Sequence, residues 1–473
     1  MQAPIAEQLA KFVSDTDFAE VPEDVLAESK RIVLDSIGCA VAAVGETKGQ
    51  IGIQYAQALG GDQDVATIFG AKQRSSIFGA AFANGELINA LDFDAVLPPG
   101  HVSPYVLPGA LAVAEADQVS GRDLVLAVAI SHELSNRFGK AMDYIRDTQD
   151  GVISMPPILG YTSTVFGAVA AVTRLRGVSA DMTAQALAIA ASITPVNSHR
   201  SWLEHIPVST IKYTMAGPVA QAALTASFMA SYGHRGDPAV FDDREFGYPR
   251  FIGTKRWEPE RLTAGLGTDW NFHRENSFKH YPHCRALHGL LDLLIDTLDE
   301  HQLRASEIDA IRAWGEGHVD RSSWLTHAIS HPVDAQFSIA HGLAVGAQRI
   351  PPSRAWQSTE VVFDPDILSL MDKVMYEVHP DWVTMISTDP AARPSRIEID
   401  ARGRTFSADL LYPRGTPGAN GGIGMSDEEL VAKFRRNAEG VLVDEAANQV
   451  VDGIMNLESV DDVSTVIRSL GGS

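Results

Sequence analysis

Two Ala-rich apolar runs meet at Pro98-Pro99-Gly100, and that junction constrains what the chain can fold into. Residues 84–118 read NGELINALDFDAVLPPGHVSPYVLPGALAVAEADQ. A helix interior does not accept two successive prolines, because each removes a backbone donor and clashes with the preceding turn. The stretch therefore reads as two helices joined by a loop. Asp92, Asp94 and His101 sit on that loop. Charged and imidazole groups on a loop carried by rigid apolar helices are a common way to build an active site. The alternative is that the same three residues only cap helices and solvate a turn.

The flanking sequence extends the helical pattern. Apolar residues at helical spacing, with Ala prominent, predict helices over 5–14, from Pro22 to about 44, and over 48–59, 75–91, 107–116, 123–139, 160–175, 183–192 and 210–232. Gly151 to Pro157 reads as a loop. Small side chains let helices approach closely, so the first 265 or so residues read as one all-α body. The pattern then changes. SEIDAIRAW (306–314), SRIEIDA (395–401) and RTFSADLL (404–411) alternate as strands do, with Gly403 as a hairpin turn. Helices at 285–301, 334–347 and 365–373 lie between them, giving an α+β segment. Ser426 and Glu429 form a capping box for a further helix, and amphipathic helix continues to about Leu470. The expected fold is mostly α: an all-α domain from 1–267 and 411–473, with a smaller α+β lid from 268–410.

Two further clusters could carry chemistry. Lys212 lies at the start of the apolar run IKYTMAGPVAQAALTA, where it either snorkels to the surface or faces an anion. Lys279, His280, His283, Arg285 and His288 crowd around Tyr281-Pro282, just before a helix, a natural place for an anion. Cys284 lies beside them, but no partner motif completes a zinc site. His341, within FSIAHGLAVGA, reads as a satisfied core histidine or a site residue, and Tyr161 is equally ambiguous. His199, Arg200 and His205 read as a polar loop before Lys212 and are further candidates for lining a pocket.

Bulk properties exclude several classes of function. A net charge of −22 argues against nucleic acid as a partner. The apolar runs are broken by Gly and polar residues, and no membrane span is expected. The N-terminus lacks a basic region followed by an apolar core, and Cys39 and Cys284 give no disulfide framework, so a cytoplasmic location is expected. No glycine-rich nucleotide loop, HExxH or GxSxG motif is present, and chemistry without a cofactor or metal is expected.

In order and spacing these segments resemble the MmgE/PrpD family, which includes 2-methylcitrate dehydratase, cis-aconitate decarboxylase and iminodisuccinate epimerase. The likeness runs through NGELINALDFD, HVSPYVLPGALAVAE, SGRDLVLAVAISHEL, TSTVFGAVAAVTRLRGVS, IKYTMAGPVAQAAL, FKHYPHCRALH, FSIAHGLAVGA and SDEELVAKF. It implies a homodimeric, cofactor-independent lyase, of the dehydratase type with decarboxylase or epimerase as alternatives, acting on a small polycarboxylic acid. It also implies site residues. Asp92 matches the first acid of the family's DFDD segment, His101 the histidine of its HPS, Lys212 the lysine before the Ala-rich helix, and Lys279 the lysine before the YP pair. Asp92, His101, Tyr161, Lys212 and His341 are the expected catalytic set, and Arg200, Lys279, His283 and Cys284 the expected substrate contacts. Ala95, Val96, Tyr161 and His341 stand where relatives carry an acid, a threonine, a histidine and a tyrosine. A non-catalytic binding homologue is the other class of reading.

Overall fold

The computed structural model describes residues 3–60, 63–149, 152–153, 156, 160–196, 199–417 and 423–472, with the side chains of Gln149, Val152, His199 and Arg200 outside that description. The chain is mostly α with small sheets, as its sequence predicts. Its body is a stack of Ala-rich helices: Glu23–Ala42, Ile77–Ala90, Ser103–Ala116, Gly121–Ala141, Val165–Leu175 and Ala216–Ser231. Local chemistry sets several of their starts. The Ser76 hydroxyl accepts from Gly79 N at 3.0 Å and that of Ser120 from Asp123 N at 3.2 Å, each satisfying a first-turn donor. Ile77–Ala90 packs on both Ser103–Ala116 and Ala216–Ser231, so the loop between the first two emerges from the centre of the bundle.

A four-stranded sheet forms the second layer, in the order Val374–Val378, Ile308–Gly315, Ser395–Ala401, Arg404–Leu410. The first pair is parallel and the other two antiparallel. The hairpin turn is Arg402-Gly403, both left-handed at φ 52° and 69°, as a two-residue turn joining right-twisted strands requires. Helix His288–Glu300 lies on this sheet, backed by Ile339–Ala347. The chain then returns to the helical body. Helix Asp427–Ala438, opened by the Ser426–Glu429 capping box, packs along Glu23–Ala42.

Several elements differ from the sequence reading. The polar loop expected from His199 to His205 holds a short helix, His199–Glu204, and the small pair of strands Ala66–Thr67 and Arg74–Ser75 was not expected. The helix expected from 210 begins at Ala216, because Pro218 is tolerated only in a first turn. Lys212 therefore lies in a non-helical segment. The run 334–347 divides into Pro332–Ala335 and Ile339–Ala347, with Ser338 capping the second half. Val374–Val378 is a strand that the pattern did not announce, since its alternation covers only five residues. The loop expected at Gly151–Pro157 falls largely outside the described residues, and within it Val152–Ile153 is a strand paired antiparallel with Thr148–Gln149 rather than loop. Among the described residues no helix is long and apolar enough to cross a membrane.

Candidate active site

The loop between Ile77–Ala90 and Ser103–Ala116 is buried: Asp92 and Asp94 are 0% exposed and His101 2%. Burying a carboxylate is costly unless it is paired, and both are paired. Lys279 Nζ reaches Asp92 Oδ2 at 2.7 Å and the Asp92 carbonyl at 2.7 Å. Lys212 Nζ reaches Asp92 Oδ1 at 3.3 Å and donates to Gln336 Oε1 at 2.6 Å. Burial alone would raise the Asp92 carboxyl, but Lys279, then Lys212 and His101, outweigh it and hold the group well below the usual range. Asp92 adopts φ 53° and Tyr213 φ 54°. The left-handed region is strained for a bulky aromatic, and such strain clusters at functional sites.

His101 is oriented from the other side. Its Nδ1 lies 2.6 Å from Asp94 Oδ2, and Asn89 Nδ2 donates to Asp94 Oδ1 at 3.2 Å. Burial pushes the Asp94 carboxyl up, but the neighbouring His101 outweighs it, so the group is lowered and ionised. An ionised carboxylate only accepts, so Nδ1 carries the proton and Nε2 of a neutral His101 keeps its lone pair. Nε2 lies 3.6 Å from Asp92 Oδ1. The imidazole packs on the Tyr213 ring at 4.4 Å, with the Tyr161 ring 6.3 Å away. Burial raises both phenols well above their ordinary value, so both stay protonated and can donate. Gly100, at φ 147°, permits this approach: a Cβ there would lie 2.3 Å from Tyr161 Cε1.

The loop backbone is fixed from behind. Val96 and Ser277 exchange backbone hydrogen bonds, each 2.9 Å. Ala95 N donates to Asp35 Oδ2 at 3.1 Å, and Lys433, from helix Asp427–Ala438, bridges Asp35 Oδ1 at 2.6 Å and the Phe93 carbonyl at 2.8 Å. Gln357 Nε2 donates to the Leu91 carbonyl at 2.8 Å.

In front of the loop lies a cavity of about 630 Å³, with Leu97, Gly100, His101, Tyr161, Tyr213 and Cys284 on its wall. Seven Lys and Arg side chains line it against three Asp and Glu, so it is cationic within an acidic protein. Asp92 and Lys279 stand behind this wall, and Lys212 lines a separate, smaller cavity of about 250 Å³.

The structure thus brings together Asp92, His101, Tyr161, Lys212, Lys279 and Cys284. Lys212 is 1% exposed and does not snorkel. Its ammonium is pushed down to about 7 by burial, against the pull of Asp92. His283 and His341 are buried off the cavity wall, their Nε2 atoms 3.2 Å from the Ser338 carbonyl and 3.1 Å from the Val362 carbonyl. Burial lowers His283 and His280 to about 3 and His341 to about 4, and burial and then Arg285 lower His288 well below its ordinary value, so all four stay neutral. The cluster around Tyr281 therefore supplies two cations near the site, Lys279 and Arg285, rather than five. The Arg200 side chain lies outside the described residues.

Sequence reasoning passed over Asn89, Tyr213, Gln336, Arg146 and Arg393. Tyr213 stands next to Lys212, and its position after a β-branched pair before a Pro-containing helix start was the available signal. Arg146 and Arg393 are lone arginines far apart in the chain, with no local pattern to single them out.

Residues 7–260 match the model of the MmgE/PrpD N-terminal domain, and residues 281–457 that of the MmgE/PrpD C-terminal domain. The chain belongs to the MmgE/PrpD family. Among curated relatives, this MmgE/PrpD protein is similar to a cis-aconitate decarboxylase of Homo sapiens, at 25% identity over 100% of this chain and 95% of that protein. That of Mus musculus is 25% identical over 100% and 94%. One from Aspergillus terreus is 23% identical over 98% and 96%.

Proposed function

We propose that this MmgE/PrpD protein is a lyase that acts on a small polycarboxylic acid through a carbanion- or enolate-like intermediate, and that its reaction is a dehydration. The observation that carries this reading is the buried cluster in which Asp94 fixes His101 while Lys212 and Lys279 neutralise Asp92 beside a cationic cavity.

In this mechanism His101 Nε2 takes a proton from the carbon next to a substrate carboxylate. The electron pair moves onto that carboxylate as an enolate. The ammonium groups behind Asp92 lower the energy of this negative charge, more in a dry site than in water. The pair then forms a carbon–carbon double bond as the neighbouring carbon–oxygen bond breaks. Tyr161 hydrogen-bonds to the departing hydroxide, which leaves as water after taking the proton that His101 Nε2 removed from carbon. A protonated phenol suits that role, which favours dehydration. No step requires an oxidant or reductant. Decarboxylation is the second reading. It passes through the same kind of intermediate, and the family relatives named cis-aconitate decarboxylase favour it.

In the same reading residues 268–410 form a lid over a helical body made of 1–267 and 411–473, and the protein works as a cytoplasmic homodimer. The test is turnover by purified protein of 2-methylcitrate, citrate and cis-aconitate, followed by proton NMR. Loss of water from a hydroxy acid supports dehydration. Release of carbon dioxide from cis-aconitate without any dehydration selects the second reading. No turnover of any of the three overturns both.

A further inference from the structure

The cavity has a second charged region that the proton-transfer chemistry does not use. Arg146, Arg285 and Arg393 all reach its wall, although Arg146 is only 5% exposed and Arg285 only 3%. They come from a loop, a short helical turn and the segment before strand Ser395–Ala401.

Two of these guanidinium groups, Arg146 and Arg285, are under-compensated: burial lowers both, whereas at Arg393 burial is outweighed by Glu316 and the group is raised. One carboxylate, Glu316, lies behind the wall and serves two of the three: Oε2 is 2.7 Å from Arg146 Nη1, and Oε1 pairs with Arg393. The same carboxylate also lies 3.4 Å from His318 Nδ1. Asp389 is on the cavity wall as well, accepts from the Tyr412 hydroxyl and draws Arg146 up, while Asp292, which is also close to Arg414, draws Arg285 up. Arg285 forms no ion pair among the described residues. It donates instead to the Arg414 carbonyl and to Thr416 Oγ1, each at 2.8 Å. The Nε atoms of Arg146 and Arg285 are buried without a hydrogen-bond partner. Burial, and then the nearby Arg393, push Arg285 down to about 9, and the same two causes lower Arg146. Arg393 repels both Arg146 and Arg285 in a buried place, an excess of positive charge that an anion in the cavity would relieve. Guanidinium forks match carboxylates in particular, because two parallel N–H groups meet two oxygens.

This region is not the His101 centre. Cys284 stands between them: the charges acting on it include Asp92 and Lys279 on one side, and it acts in turn on Arg393. Tyr144 makes a second link, close to Arg146, Arg393 and Glu316 on one side and to Tyr161 on the other. A cavity of about 630 Å³ has room for a ligand that spans both.

We propose that Arg146, Arg285 and Arg393 form a distal carboxylate-binding subsite, so that the substrate carries one carboxylate beside the carbon attacked at His101 and another at its far end. This rests on the lyase reading for what happens at His101, but the binding claim is tested without turnover. The probes are tricarballylate and methylsuccinate, which is the same skeleton lacking one terminal carboxylate. Isothermal titration calorimetry measures both against the intact wild-type protein and against Arg146→Gln and Arg393→Gln. Wild type is expected to bind the triacid at least about tenfold more tightly, the scale of one charge-assisted contact. In either variant that ratio should fall below about threefold if each guanidinium contributes on this scale. Equal wild-type affinities for the two acids overturn the proposal, and this arm needs no variant to fold. So does a variant with a native melting temperature that keeps the wild-type ratio. A protein that discriminates between the acids yet turns nothing over retains the subsite and loses the lyase reading. One that dehydrates a hydroxy acid while binding both probes equally does the reverse.

Discussion

At the residue scale four charges, on Asp92, Asp94, Lys212 and Lys279, share a buried space. Asp92 holds two ammonium groups, so replacing it leaves both uncompensated. Asp92→Asn is therefore expected to destabilise the protein by about 3–5 kcal/mol, the usual result of breaking a buried pair; urea denaturation measures it, and a change under about 1 kcal/mol would remove Asp92 from the centre. His101 has a different role. His101→Ala is expected to lower kcat by a factor on the order of 10² to 10⁴. Asp94→Asn removes the group that fixes the imidazole tautomer, and should lower kcat while leaving KM close to wild type. Lys212 sets a pH dependence. Its folded-state value is lowered to about 7, so the ammonium is charged below that pH and loses its charge as pH rises through it. If that charge stabilises the enolate, kcat falls on the alkaline side near pH 7. Lys212→Arg, which cannot be deprotonated in this range, should move that limb upward. A limb that stays in place in the variant would assign it to another group. Much of this set was legible from the sequence. The Pro-Pro-Gly loop announced Asp92 and His101, local pattern singled out Lys212 and Lys279, and family likeness brought the four into one site. What could not be read was the pairing. Asp94 as the partner of His101 depends on how their shared loop turns at Pro98-Pro99-Gly100, and Glu316 behind two distant arginines depends on contacts between segments that share no local pattern.

At the element scale the site is a loop held from three directions. Helices Ile77–Ala90 and Ser103–Ala116 carry its ends, the segment around Ser277 pairs with Val96, and helix Asp427–Ala438 reaches it through Lys433. The last contact links chain positions more than 300 residues apart, since Lys433 bonds the Phe93 carbonyl across 340. The capping box at Ser426 revealed that a helix begins there, but nothing in its own sequence says what it covers. Lys433→Met removes the only cation on Asp35 among the described ion pairs. It should lower the melting temperature and, because Asp35 also holds Ala95 N, lower kcat as well. Retained kcat in a destabilised Lys433→Met protein would confine that helix to a structural role. The displaced helix start at Ala216 teaches the complementary lesson. Periodicity favoured an earlier start, but Pro218 decided it, and the residues released from helix are the ones that bring Lys212 and Tyr213 to the loop.

At the scale of the whole molecule, a chain with a net charge of −22 encloses a cavity whose wall is cationic. The surface repels an anionic substrate while the cavity attracts it. Salt screens surface charges more strongly than buried ones. Moderate ionic strength should therefore change KM for a polycarboxylate while kcat stays nearly constant, and steady-state kinetics across a salt series checks this. The two-layer plan, helices first and a small sheet later, was readable because the spacing of apolar residues changes near residue 306. The reaction was not readable, because it depends on which atoms face the cavity. The central claim is that His101, fixed by Asp94 beside a neutralised Asp92, moves a proton at a carbon next to a carboxylate. It is tested most directly by incubating the protein in deuterium oxide with 2-methylcitrate, citrate and cis-aconitate, and following each by proton NMR. The account predicts that wild type exchanges or eliminates a carbon-bound proton of at least one of these acids, and that His101→Ala, folded and with an unchanged spectrum by circular dichroism, does so at least about 10²-fold more slowly. Exchange within threefold of wild type in that variant would contradict it.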